Sequence, residues 1–131
     1  MTDLSPLPLR FRDVDSFGHV YHAEYLTLLD ELRSQFFREV LHLDRPEQFV
    51  VVRLEIDYVD SLVLADRTVT ARIALEKVGR TSLTLAESMR AADGREVART
   101  RTVVVLWDAA GQAKRALTDT ERERAEARLG T

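Results

Sequence analysis

Ten consecutive residues, Asp13-Val14-Asp15-Ser16-Phe17-Gly18-His19-Val20-Tyr21-His22, carry two carboxylates, a glycine and two histidines. A carboxylate just ahead of a helix offers a base beside an anion-stabilising dipole. That pairing suits chemistry at a carbonyl. Asp15 can take a proton from water or attack the carbonyl itself. The residue types equally allow Asp15 or Ser16 to cap the helix that follows. Asp13 shares a side with Asp15 in an extended segment, so a coupled dyad is conceivable. Tying down the loop by hydrogen bonds is its favoured role. Gly18 permits an unusual backbone angle or a close approach of a ligand to the main chain. The N–H groups beyond it precede the first intrahelical bond and are available to an oxyanion. With three histidines and no cysteine, no metal site is expected.

These residues need a helix behind them and a sheet beneath it. Tyr21, Tyr25, Leu28, Leu29, Leu32, Phe36 and Val40 recur at three- and four-residue steps, which predicts a helix over 20–40. Ahead of the motif, Leu7, Leu9 and Phe11 alternate with Pro8, Arg10 and Arg12, a short strand over 7–12. Strands follow over 49–58, 68–78, 82–89 and 97–107, with reversals at Gly79-Arg80 and Asp93-Gly94. In the first of these, Val50, Val52, Leu54, Ile56 and Tyr58 should share one face. Thr118-Asp119-Thr120-Glu121 would cap a short charged helix over about 118–129. Short turns imply antiparallel neighbours, and a one-faced sheet needs a cover. The expectation is an α+β domain, a five-stranded antiparallel sheet around one long helix. It would occupy 1–131 as a single unit, with its core at about 7–108.

Composition fits that reading. The chain has 131 residues, the size of one domain. It is 45% hydrophobic and 31% charged, as soluble proteins are. Its net charge of −3 gives no general attraction to nucleic acid or an anionic membrane. No apolar run approaches the ~20 residues of a membrane span. The cysteine-free chain suits a reducing cytoplasm and excludes disulfides and thiolate nucleophiles.

The segment RFRDVDSFGHVYHAEYLTLLDELR, Arg10 to Arg33, resembles the start of hotdog-fold acyl-CoA thioesterases of the 4-hydroxybenzoyl-CoA thioesterase-like family. The resemblance continues through Asp57-Tyr58, Asp66 and the Gly-x-x-Ser of Gly79 to Ser82, and covers about 9–107. It implies a five-stranded sheet wrapped around the helix. It also implies homodimers joined sheet edge to sheet edge, often paired into homotetramers, with sites between subunits. Asp15, the second Asp of D-x-D, falls on the catalytic carboxylate. A backbone N–H near His22, in the stretch from Gly18, would polarise the thioester carbonyl, and the His22 side chain would hold the carbonyl or the water. His19 falls on the Gly-His-Val position. Tyr21 and Tyr25 would flank the acyl group. Arg80, Thr81 and Ser82, with Lys77 nearby, would contact coenzyme A.

Two departures stand out. Phe11 replaces a Tyr of some relatives, and Gly79 and Thr81 replace charged residues. Arg33 is expected to form a structural salt bridge. The implied reaction is hydrolysis of acyl-CoA to acid and CoA, with no cofactor beyond the CoA of the substrate. A 3-hydroxyacyl dehydratase on the same fold and a non-catalytic acyl-CoA binder are the alternatives.

Overall fold

The computed structural model describes residues 1–130; Thr131, the last residue of the expected domain, lies outside the described residues. The elements run β1 (Thr2–Asp3), β2 (Leu7–Pro8), α1 (Glu24–Leu41), β3 (Phe49–Tyr58), β4 (Thr68–Val78), β5 (Ser82–Ala91), β6 (Glu96–Asp108), β7 (Ala113–Lys114) and α2 (Asp119–Glu126). All strand pairs are antiparallel, in the order β1-β4-β5-β6-β3, with β2 also on β4 and β7 on β6. Among the described residues the sheet thus has seven strands rather than the five expected. Four are long, and three are two-residue segments. Thr2 sits opposite Ile73 and Leu7 opposite Val69. The first strand is therefore one ribbon along β4, interrupted around Ser5-Pro6.

Several details differ from the sequence expectation, each for a physical reason. The strand expected over 7–12 stops at Pro8, because residues Phe11–Asp13 form a 3₁₀ turn. The Asp13 carboxylate closes that turn by accepting the Arg10 N–H at 2.8 Å. The long helix starts at Glu24 rather than Val20. The Val20 N–H donates to the Leu62 carbonyl at 2.7 Å, and Val14 and His19 bridge to Val20 and Val63, so this backbone is held extended. In β3, a bulge between Val51 and Arg53 breaks the alternation. Leu54 and Ile56 turn toward the core, while Val50, Val51 and Val52 remain exposed.

α1 spans 18 residues, ~27 Å of helix, and lays its apolar face on the sheet. The core forms two clusters. One gathers Tyr25, Leu28 and Leu29 with Leu62, Val69, Met89 and Val97 under the start of α1. The other gathers Leu32, Phe36, Phe37 and Val40 with Ile73, Leu75, Leu83, Leu85 and Leu106. Buried polar side chains also lie between helix and sheet. Arg33 Nε pairs with Glu87 Oε2 at 2.8 Å, and Arg33 Nη2 donates to Thr102 at 3.2 Å. The hydroxyls of Thr100 and Thr102 donate to Glu87 Oε1. All four are buried, and each finds a partner. Arg33 is thus the structural salt bridge expected of it.

α2 begins with the expected cap. Thr118 Oγ1 accepts the Glu121 N–H at 3.1 Å, and Glu121 accepts the Thr118 N–H at 2.9 Å. The helix ends at Glu126, short of 129. Among the described residues no helix is long and apolar enough to cross a membrane.

Candidate active site

The stretch from Val14 to Val20 is a loop closed by the bridge between those two residues. Within it the Asp15 N–H donates to the His19 carbonyl at 2.8 Å, and the Gly18 N–H to the Asp15 carbonyl at 3.1 Å. Gly18 has φ of +83°, a left-handed backbone that glycine adopts without strain. Asp15 Oδ1 accepts the N–H groups of Phe17 at 2.9 Å and His19 at 3.3 Å. The carboxylate therefore ties its own loop. Neither Asp15 nor Ser16 caps α1, whose N-cap position is Ala23. Asp15 Oδ2 has no hydrogen-bond partner among the described residues.

Asp13 has the other role. Its side chain is fully buried and meets Arg10 Nη2 at 3.1 Å. Burial alone would raise its carboxyl; hydrogen bonds from Arg10 and the nearby positive charge outweigh this and hold it below the usual range. The two carboxylates do not form a dyad: Asp13 faces Arg10, and Asp15 faces a cleft.

That cleft has a volume of about 500 Å³. Asp15, His19, Val20, His22 and Tyr25 line one side. Tyr58, Val59, Asp60 and Ser61 line the other. The turn entering α1 passes along it. The Tyr21 N–H donates to the Asp13 carbonyl at 2.9 Å, and the Glu24 N–H to the Tyr21 carbonyl at 2.8 Å. The His22 and Ala23 N–H groups have no backbone acceptor among the described residues. They are unpaired donors at the helix entrance, Ala23 at the N-cap and His22 just ahead of it, where anions are received. Tyr21 meets the His22 ring at a tilt of 48°, with centroids 4.3 Å apart. Tyr25 is buried, which pushes its phenol up, and it meets Tyr58 edge to face at 5.1 Å.

The far wall was not singled out by residue type, apart from Tyr58 within the resemblance. It is held by Arg95, which reaches Asp60 and Asp66 at 3.1 Å and the Ser61 carbonyl at 2.9 Å. The wall carries no sequence signal of its own, because Asp60 and Asp66 reach Arg95 only across the fold, from 29 or more residues away, while Asp93 is its near neighbour in the turn.

Arg80, Thr81 and Ser82 lie elsewhere. They form the β4–β5 reversal, where Ser82 is paired with Val105. The facing end of β3 is Phe49, whereas the cleft lies at Tyr58. Ten residues of strand separate these ends by ~30 Å. Within one chain the two groups of expected site residues are not brought together. Arg80 and Lys77 are exposed, and their side chains have no ion-pair partner among the described residues.

A long helix wrapped by an antiparallel sheet, with an acidic loop at the helix start, defines the hotdog class of thioesterase-type domains. The chain belongs to the thioesterase-like superfamily, which it matches over residues 9–126. It is 30% identical to a thioesterase of Thermus thermophilus solved with coenzyme A and Zn, with a TM-score of 0.85, covering 98% of this chain and 95% of that one. It is 26% identical to the probable thioesterase YbaW of Escherichia coli, with a TM-score of 0.74 and coverage of 98% and 99%. The fold is also that of protein SAV2348 of Staphylococcus aureus, solved in complex with CoA, at 12% identity, a TM-score of 0.83 and coverage of 99% and 87%. No curated protein matches the chain.

Proposed function

We propose that this protein is an acyl-CoA thioesterase, hydrolysing R-CO-S-CoA to a free acid and CoA. The observation that carries this reading is the cleft itself. It is lined by Asp15, one of whose carboxylate oxygens has no partner, and by His22, whose N–H just ahead of α1 has no acceptor among the described residues. Asp15 Oδ2 takes a proton from water as the water oxygen attacks the thioester carbon, or attacks that carbon itself to give an anhydride that water then opens. Carbonyl electrons move onto the oxygen, which the His22 N–H stabilises. Collapse expels the CoA thiolate, which is protonated on release. One such donor is typically worth ~10²–10³ in rate.

The coenzyme end of the substrate calls for a second copy of the chain. Pairing β3 with β3 of a partner, antiparallel about a two-fold axis, sets the Tyr58 end of one strand beside the Phe49 end of the other. The partner's β4–β5 reversal then approaches the cleft, and its Arg80 can meet the CoA phosphates. The exposed valines of β3 support this pairing.

A panel of acyl-CoAs with a free-thiol readout tests the reaction. The wild type should release CoA, and Asp15→Asn should bind the same substrates without releasing it. Asn retains an oxygen for the Phe17 and His19 N–H groups and removes only the charge. Tight binding by the wild type with no release across the panel would replace the reading with that of an acyl-CoA binder. Loss of water from a 3-hydroxyacyl-CoA with the thioester intact would replace it with a dehydratase.

A further inference from the structure

The turn that presents the His22 N–H is held by three hydrogen bonds. Two are backbone bonds, from Tyr21 to Asp13 and from Glu24 to Tyr21. The third comes from a different element: the Tyr58 hydroxyl at the end of β3 donates to the His22 carbonyl oxygen at 2.8 Å. The ring of Tyr58 also stands at right angles to His22, with centroids 6.4 Å apart, and edge to face with the buried Tyr25. Partial burial pushes its phenol up, so the hydroxyl keeps its proton near neutral pH.

We propose that Tyr58 is a positioning residue for the oxyanion donor, its hydroxyl locking the His22 carbonyl so that the N–H groups of His22 and Ala23 at the helix entrance keep one orientation. This rests on the thioesterase reading above. The reasoning is geometric. A helix start without a side-chain cap is free to fray, and Ala23 supplies no cap here. An oxyanion donor contributes to rate only if its direction is set before the charge develops. The His22 carbonyl lies in the planar peptide that also carries the Ala23 N–H, so a tether from the sheet fixes that plane and restrains the adjoining His22 N–H. It also couples the helix start to the strand end at which the proposed partner would join.

The decisive variant is Tyr58→Phe, which keeps both ring contacts and removes the hydroxyl alone. With an acyl-CoA that the wild type hydrolyses, kcat should fall about tenfold, KM should stay within about twofold, and the melting temperature should hardly move. Tyr58→Leu, which also loses the ring, should lower kcat further and destabilise the fold. Wild-type kcat in Tyr58→Phe would overturn the positioning role while leaving the thioesterase reading intact. So would a fall in kcat matched by an equal loss of folded protein. If the wild type itself releases no CoA, the thioesterase reading fails and the role falls with it. In that case faster exchange of the His22 and Ala23 amides in Tyr58→Phe would still show a structural tether.

Discussion

Asp13 and Asp15 are two residues apart and live in different physical worlds. Asp13 is buried against Arg10, and its net shift is downward. Hydrogen bonds from Arg115 likewise hold Glu121 low, with oxygens 2.8 and 2.9 Å from the guanidinium. A carboxyl with a lowered folded value contributes stability that is full above its unfolded value, ~4 for both types, and is lost as pH falls through the folded value. The melting temperature should therefore hold between pH 7 and 5 and drop below about 4, and Asp13→Asn should flatten the drop. A drop of the same depth in Asp13→Asn would place the acid-sensitive group elsewhere. At this scale the loop-tying role expected of Asp13 matches its bonds to Arg10, whereas capping of α1 by Asp15 or Ser16 does not occur, because backbone bonds hold the chain extended up to Val20. Tyr58 was harder to assign, because its partner is a backbone carbonyl 36 residues away.

At the level of elements, the long strands and the helix follow from periodicity, and their cores lie where the apolar stripes point. The misreadings occur where tertiary bonds override pattern. Val20 looks helical by spacing but gives its N–H to Leu62. Val52 fits the alternation of β3 but is the residue at its bulge. Glu87 did leave a signal: it occupies a core-facing position in the series Leu83, Leu85, Glu87, Met89, where a charge requires a partner. That partner is Arg33, and it joins α1 to the central strands. Glu87→Gln leaves a buried guanidinium whose other carboxylate, Asp30, is exposed. It should cost ~3–5 kcal/mol in urea unfolding. Arg33→Met combined with Glu87→Gln should cost less than the sum of the two single changes. Strict additivity would mean that the pair is not energetically coupled.

On the scale of the whole molecule, the two long edges of the sheet are treated differently. β1 and β2 cover the outer side of β4, while among the described residues no strand pairs with the outer side of β3, where Val50, Val51 and Val52 are exposed. An uncovered apolar edge invites pairing with another chain. The double variant Val51→Lys, Val52→Lys should shift sedimentation toward the monomer and raise KM for acyl-CoA in the same preparation. A monomer with unchanged KM would remove the partner from the coenzyme site. Spacing along one chain does not place Arg80 relative to Asp15, since in the proposed dimer their separation depends on which copy supplies each.

The same β4 also gathers the two ends of the chain. Thr2 lies opposite Ile73, Leu129 bridges to Leu75, and the Arg128 guanidinium donates to the Thr2 hydroxyl at 3.2 Å. Neighbouring ends make the order of the elements along the chain separable from their arrangement in space. A short linker across that junction, with the chain reopened in the exposed turn at Ala110 to Gln112, would give a circular permutant in which the cleft is unaltered and the start of the polypeptide lies far from it.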